Sequence, residues 1–364
     1  MRPKILTVTI PTWNRVKLLD ELLTELIEQI TSDDLDEKVE ILISNNGSED
    51  ETEKLVLAYK ARYNFIIYNN NGTNKGARYN VLKSMQLAGG EYLILFGDDD
   101  RPNKGVLKKI VNYLVSNPKT GSLFDSHLFK RNPFGDAVLS LPQLLENFYY
   151  YLGNAGLFII KSNYIKDVLI ENSYDFFSPT WPQTQIFILA AEQNIKDEIR
   201  ICNLNVLAAG MHNQVMIYTS YYLWRTTYLD LVSAIEFIKD QINFDTYHSA
   251  KKYYKKNVIQ LFFNILQCGV FLDNSETRLK TAKSIFQNLA KFSFIEKSFL
   301  AVAVAGLFIP VFITRILSNI FIYLTRGTAG IKKKNDFINK EIEKRKMKQE
   351  TSTKAIREFD FTNV

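Results

Sequence analysis

The chain has 364 residues, of which 46% are hydrophobic, and it carries a formal net charge of +6. This length predicts about two folded domains, and the 25 Phe and 19 Tyr residues argue against a disordered protein. Cys202 and Cys268 lie far apart without metal-type spacing, which excludes a disulfide scaffold and a zinc ribbon and predicts a reducing compartment. Because the N-terminus lacks an apolar leader and basic residues concentrate near the C-terminus, we expect a cytoplasmic protein that does not bind nucleic acid.

Strands and helices are predicted to alternate over the first 120 residues. The strands are apolar on both faces, which is typical of a mostly parallel sheet with helices on both sides, so we expect an α/β fold. Ligands of such sheets bind beyond the carboxyl ends of the strands. Periodicity predicts strands at 5–10, 39–44, 65–68 and 92–96, and helices at 16–30, 49–63 and 77–88.

The pattern weakens after residue 120. Runs at 122–129 and 157–160 predict further strands, and an apolar strand is expected at 205–209. From about residue 221 to 346 helical signals dominate, so a helical C-terminal region is expected to follow the α/β part.

An acidic cluster follows the fourth predicted strand. The three consecutive carboxylates of Asp98, Asp99 and Asp100 raise one another's pKa unless a cation or solvent relieves them. Their hard oxygen ligands suit Mg²⁺ or Mn²⁺, and a solvated acidic turn is the alternative. Their position at the end of a buried strand favours the metal.

Three other polar loops are predicted at the same ends of the strands, at 11–15, 45–48 and 74–76. Asn45 and Asn46 can form a plain turn or present their amides to the edge of a base. Lys75 can face a diphosphate, and Gly76 lets the backbone approach a ligand, although an ordinary loop is again the alternative.

The order of these four motifs resembles that of the family 2 glycosyltransferases of the GT-A fold, and loosely the O-antigen and abequosyl-type transferases among them. The resembling segments are Thr9–Arg15, Ile43–Asp50, Asn74–Asn80 and Leu95–Pro102. The resemblance implies a GT-A-type, Rossmann-like sheet, a nucleoside diphosphate sugar donor, and a Mn²⁺ or Mg²⁺ ion between the diphosphate and the acidic cluster. The residues expected around the donor are Pro11, Thr12, Asn14, Arg15, Asn45, Asn46, Lys75, Gly76 and Asp98.

The chain departs from the family pattern in two loops. Asn45-Asn46 replaces the acidic pair that usually precedes Gly-Ser, and Gly97 stands where the first Asp of the metal motif is usual. The metal is therefore expected mainly on Asp99, with Asp98 or Asp100 as a further ligand. His212, in a loop after the predicted strand at 205–209, is a third candidate ligand, although a lone histidine in a loop is more often structural.

The catalytic base is harder to place. An inverting transferase needs a base near the acceptor hydroxyl, and the resemblance implies a Glu-Asp pair for which the corresponding segment is 174–185. That segment has no such pair. Asp175 is its nearest carboxylate, and Asp125, on the strand after the acidic cluster, is the second candidate; either can equally be structural.

An uncharged stretch at 298–314 is followed by basic runs at 332–334 and 344–346. A bilayer span needs about 20 apolar residues, and Pro310 and Arg315 interrupt this stretch. A buried core helix, a single span and an interfacial hairpin with basic flanks are the three alternatives. The family often acts on lipid-linked acceptors, which favours the hairpin at an anionic membrane surface.

These observations predict a catalytic domain at 1–220, with nucleotide-sugar binding at 1–120 and the acceptor side at 121–220. A helical, membrane-associated region is expected at 221–330 and a basic tail at 331–364. The predicted function is transfer of a sugar from a nucleoside diphosphate sugar, with UDP favoured, to a glycan or lipid-linked acceptor in surface polysaccharide synthesis. The expected location is peripheral, at the inner face of the cell membrane. The alternative is a non-catalytic nucleotide-sugar-binding or scaffold subunit.

Overall fold

A computed structural model describes residues 4–127, 132–208, 229–253, 275–288 and 294–308, with isolated residues outside these ranges. The chain divides into two compact units, the first made of residues 1–212 and 230–254 and the second of residues 213–229 and 255–364. The boundaries predicted at residues 220 and 330 stay predictions, and residues 230–254 lie with the first unit.

An eight-stranded sheet forms the centre of the first unit, in the order β3-β2-β1-β4-β7-β5-β8-β6. Strands β1 to β4 are parallel, and β7 pairs antiparallel with both β4 and β5. Strand β5 therefore runs in the same direction as β4, and it pairs in parallel with β8. The strands are β1 Leu6–Thr12, β2 Val39–Asn45, β3 Ile66–Asn70, β4 Tyr92–Leu95, β5 Thr120–Asp125, β6 Ala137–Leu139, β7 Phe158–Lys161 and β8 Glu198–Cys202.

Helices cover both faces of this sheet because the strands are apolar on both sides. One apolar cluster joins α1, α2 and α4 to the sheet, whereas α3, α6 and α7 contact one another. The helices of the first unit are α1 Val16–Ser32, α2 Thr52–Arg62, α3 Ala77–Gln86, α4 Val106–Ser116, α5 Leu141–Phe148, α6 Ser162–Glu171, α7 Pro182–Gln193 and α8 Asp230–Phe237.

The predicted α/β fold with a mostly parallel sheet is confirmed. The first four strands and three helices agree with the predicted ones to within a few residues. The strand expected at 205–209 is wrong for its described residues, since Leu207 makes only an isolated bridge to Pro102. The backbone of this segment bonds instead to the loop after β4, with Asn103 N donating to Val206 O at 2.9 Å.

In the second unit, helices α9 (Ser275–Asn288) and α10 (Phe294–Phe308) contact each other. Leu300, Val304 and Leu307 of α10 are buried at helical spacing, as expected for a packed helix. Among the described residues, we find no helix with the length and hydropathy needed to cross a bilayer.

One carboxylate joins the starts of two helices beside the first loop. Asp50 accepts a hydrogen bond from the backbone N–H of Val16 at 3.0 Å, at the start of α1, and one from Thr52 N–H at 3.1 Å, at the start of α2. Partial burial raises the pKa of Asp50, but the bonds from Thr52 and Val16 outweigh burial and leave the pKa below its ordinary value.

Replacing Asp50 with Ala should lower the free energy of unfolding by roughly 1–2 kcal/mol at pH 7, because two helix starts lose their acceptor. Since the folded pKa is lowered, this contribution is present above the unfolded pKa of about 4 and is lost as pH falls below it. Urea unfolding at pH 7 and pH 3 measures both effects. Asp167→Ala, at an exposed position of α6, is the control, and an equal effect of the two substitutions would contradict the assignment.

Candidate functional site

The carboxyl ends of β1, β2, β4, β5 and β8 lie on one side of the sheet, which we call the carboxyl edge. This follows from their shared direction. The loops predicted to carry the site follow β1, β2, β3 and β4 at this edge. The topology therefore brings the four loops to one place, as expected from the order of strands and helices.

A buried carboxylate ties the first loop to the acidic loop. Asp98 Oδ2 accepts a hydrogen bond from the Thr12 hydroxyl at 2.8 Å, and Oδ1 accepts one from the Arg15 guanidinium at 2.8 Å. Burial raises the pKa of Asp98, while Arg15 and Thr12 act in the opposite direction. The guanidinium also lies 3.6 Å from Asp99 Oδ2, so it bridges two of the three carboxylates.

The other two carboxylates differ in burial. Asp100 is buried and accepts a hydrogen bond from Gly97 N–H at 2.9 Å, whereas the Asp99 side chain keeps 21% of its surface exposed. Burial, with repulsion from Asp99 and Asp98, raises the pKa of Asp100 to about 8. A Cβ at position 97 would lie 2.9 Å from Asp99 Oδ1, so the glycine that replaces the family's aspartate makes room for Asp99.

This loop fits a divalent cation in charge and ligand type. The Arg15 guanidinium pairs with two of the three carboxylates, and a bound cation would relieve the repulsion that, after burial, raises the pKa of Asp100. Within the described ranges, no three His, Cys, Asp or Glu side chains are grouped to hold a metal by themselves. Mg²⁺ sites often use one or two carboxylates together with substrate phosphates, which matches Asp99 and Asp100. His212 lies outside the described residues.

The amides of Asn45 and Asn46 are bonded within the protein. Asn45 Nδ2 donates to the Tyr68 hydroxyl at 3.0 Å, and its Oδ1 accepts from Ser48 N–H at 3.0 Å. Asn46 Nδ2 donates to Asn74 Oδ1 at 2.9 Å, and its Oδ1 accepts from Lys75 N–H at 3.1 Å. The two side chains therefore hold the loops after β2 and β3 together, and base recognition by them stays a prediction.

A buried polar network beneath these loops escaped the sequence reasoning. The Asn80 side chain, on α3, accepts from the Ser44 hydroxyl at 2.7 Å and donates to Ser44 O at 2.8 Å. Its Oδ1 also accepts from Asn71 Nδ2 at 2.9 Å. The asparagines at the ends of neighbouring elements are the sequence feature from which this network could have been predicted, because buried amides need hydrogen-bond partners.

The first loop has one strained residue and one exposed aromatic. Asn14 has a positive φ of 52°, and its backbone N–H donates to the Ser48 hydroxyl at 2.9 Å. Trp13, the residue before Asn14, keeps 45% of its surface exposed. Pro11 is partly exposed. An exposed Trp at the carboxyl edge is a further functional candidate that periodicity alone does not select.

The loop after β3 carries a cation beside an aromatic ring. Lys75 Nζ lies 4.9 Å from the centroid of the Tyr79 ring, and Gly76, with φ 87°, precedes the start of α3. Arg78, in the first turn of α3, forms an ion pair with Asp175. The Asp175 side chain is 89% exposed, so this predicted base is paired on the surface rather than placed in a cavity.

Asp125, the other predicted base, is fully buried at the end of β5. Its carboxylate accepts backbone hydrogen bonds from Leu204 at 3.0 Å and from Val206 at 2.7 Å, and it bonds the His127 ring at 2.6 Å. These partners make it an anchor for the segment after β8. Its role as a base stays a prediction that this geometry disfavours.

Comparison with known proteins gives a family match for the part of the chain that carries the four loops. Residues 7–167 match the model of glycosyl transferase family 2. This part of the chain is therefore similar to the family 2 glycosyltransferases. It includes all four loops and the Asp98–Asp100 cluster.

The alignments with individual relatives cover a smaller part of the chain. The chain is 39% identical to abequosyltransferase RfbV of Salmonella typhimurium over 113 residues, 31% of this chain and 33% of the relative. It is 31% identical to an uncharacterized glycosyltransferase of Mycoplasma genitalium over 122 residues, 33% of this chain and 40% of the relative. The matches thus span well under half the length of these relatives.

The fold has a solved counterpart over most of the chain. The structure of TarS residues 1–349 from S. aureus is similar with a TM-score of 0.53 at 15% identity, over 83% of this chain and 90% of that one. At this identity the likeness shows the fold alone. The expected GT-A-type sheet is confirmed by the family match and this likeness together.

Gly47, which has a φ of +67°, fixes the distance between the loops after β2 and β3. A Cβ at this position would lie 2.6 Å from the Thr73 backbone. Gly47→Ala should therefore lower the free energy of unfolding by more than backbone strain alone, which is about 1–2 kcal/mol. Gly72→Ala is the matched control, since Gly72 has φ +76° and open space around its Cβ position. Urea unfolding compares the two, and equal losses would contradict a steric role for Gly47.

Proposed function

We propose that this protein is a glycosyltransferase that moves a sugar from a nucleoside diphosphate sugar, with UDP favoured, to a glycan or lipid-linked acceptor in surface polysaccharide synthesis. One observation carries the proposal: the acidic cluster stands at the carboxyl edge of the part that matches family 2, tied by Arg15 to the first loop. A similar fold has been solved in complex with UDP-GlcNAc, which supports a uridine donor.

The carboxyl edge supplies each part of a donor site. Trp13 offers an exposed ring on which a base can stack, and Lys75 places a cation toward a diphosphate. Arg15 holds the acidic loop in place through Asp98. Asp99 and Asp100 would hold a divalent cation, which would supply Lewis-acid stabilisation of the charge that develops on the leaving diphosphate.

A thermal-shift screen of UDP, GDP, CDP and dTDP sugars, each with Mn²⁺ or with EDTA, tests the donor. We expect metal-dependent stabilisation by one nucleoside diphosphate, since a ligand at 100 times its Kd stabilises a protein by about 2.7 kcal/mol. Release of the nucleoside diphosphate then tests turnover. If no donor stabilised the protein in a metal-dependent way, the proposal would be falsified, and binding without turnover under any acceptor would favour the scaffold alternative.

Asp99→Asn should remove the metal-dependent part of the shift and lower the rate of diphosphate release by at least about 100-fold, because the loop loses its exposed charge. The Asp98 anchor to Arg15 stays intact in this variant, so the loop keeps its position. Asp167→Asn, exposed on α6, is the matched control. Retention of metal-dependent binding by the Asp99 variant would contradict its role as a ligand.

Peripheral association with an anionic membrane is part of this proposal, and it is supported by the uncharged stretch at 298–314 and the basic runs at 332–334 and 344–346. The full chain should co-sediment with vesicles that contain phosphatidylglycerol and not with phosphatidylcholine alone. High salt should reverse the binding, because electrostatic attraction to anionic lipid is screened. If the chain bound both kinds of vesicle equally, or bound neither, a role of the basic runs in membrane binding would be contradicted.

A further inference from the structure

The ring of His127 carries a buried nitrogen for which the site described above has no use. His127 follows β5 at the carboxyl edge, and its side chain is only 4% exposed. Its Nε2 atom is buried and has no hydrogen-bond partner in the structure as described. Leaving a buried polar atom unpaired destabilises the folded protein, so such an atom calls for an explanation.

Asp125 determines the state of this ring. Nδ1 of His127 lies 2.6 Å from Oδ2 of Asp125. An ionised carboxylate only accepts hydrogen bonds, so Nδ1 is the donor in this pair, and the tautomer that donates from Nδ1 has its lone pair on Nε2. If Nε2 takes up a proton, the imidazolium stays beside a negative charge. A base oriented by a carboxylate in this way is a recurring catalytic arrangement.

The pair is connected to the acidic loop through the segment after β8. Asp125 accepts from Val206 N–H at 2.7 Å, and Val206 O accepts from Asn103 N–H at 2.9 Å. Ala208 N–H donates to Arg101 O at 2.8 Å, directly after the acidic cluster. The ring and the cluster therefore lie at the same edge and share one hydrogen-bonded support.

The segment at 174–185, where the family resemblance places an acidic pair, offers amides instead. Gln183 Nε2 donates to Gly153 O at 3.1 Å, and Gln185 Nε2 donates to Ala234 O at 3.0 Å. An amide does not act as a base at neutral pH. Asp175 is paired on the surface, whereas His127, two residues after the end of β5, combines a ring lone pair with an orienting carboxylate.

We propose that His127 is the general base of the transfer and that Asp125 is its positioning residue. This inference rests on the proposed glycosyltransferase function. The proton of the acceptor hydroxyl passes to Nε2 while the acceptor oxygen bonds the anomeric carbon. The bond from that carbon to the diphosphate oxygen breaks, and its electron pair leaves with the nucleoside diphosphate. The proton leaves Nε2 again before the next turnover, and the single displacement inverts the anomeric centre.

His127→Asn tests the base, because the Asn amide can still donate to Asp125 but has no basic lone pair. With the donor found by thermal shift and water or a glycan as acceptor, kcat for nucleoside diphosphate release should fall by about 100-fold or more. The Kd for the donor should stay unchanged. The control is His248→Asn, at an exposed position where the ring stacks on Phe244.

Chemical rescue separates a base from a structural role. Imidazole added to His127→Gly should restore part of kcat, and it should not restore Asp99→Asn. An unchanged kcat in His127→Asn, or an equal loss of kcat and donor affinity without rescue, would overturn the proposal. If His127→Asn does not fold, His127→Gln takes its place with the same criteria. A wild-type protein that turns over no donor would instead overturn the proposed function, and the base with it.

Discussion

The buried carboxylate of Asp98 is the contact on which the candidate site depends. It joins the end of β1 to the end of β4 through the Thr12 hydroxyl and the Arg15 guanidinium. A buried charge is costly unless it is paired, and here each oxygen has a donor at 2.8 Å. The pair therefore fixes the spacing of the two loops that are expected to hold base and diphosphate.

The same contact leaves the cluster with a charge imbalance. Arg15 is shared between Asp98 and Asp99, and burial, with repulsion from these two carboxylates, raises the pKa of Asp100. A divalent cation beside the cluster would relieve that repulsion, which is the physical reason for proposing one.

The first half of the fold was predictable because buried parallel strands are continuous apolar runs that end in Asn, Gly or Asp. Once β1 to β4 are placed, topology alone brings Thr12, Asn46, Lys75 and Asp99 to one edge. Strand β6 escaped prediction because it has only three residues, and β8 because Glu198 and Arg200 interrupt its apolar residues. The apolar run at 205–209 misled because its backbone bonds go to residues 101–103. Such bonds join residues about a hundred positions apart, which local periodicity cannot register.

The base position shows the same limit. Asp125 was predicted as a base because of its charge, but its carboxylate oxygens are hydrogen-bonded to Leu204, Val206 and His127. His127 carries no motif, and only the geometry of the pair distinguishes it from an ordinary core histidine. Sequence patterns identify the kind of chemistry at an edge, whereas the assignment of individual roles requires knowing which atoms already have partners.

Strand β7 has a consequence for the width of the site. It lies antiparallel between β4 and β5, so two strand spacings of about 4.8 Å separate the ends that carry the acidic cluster and the Asp125–His127 pair. Hydrogen-bonded ladders on both sides make this strand a rigid spacer. The gap is therefore set by the backbone rather than by any side chain, so the proposed donor and acceptor sides keep their distance when the loops around them change in sequence.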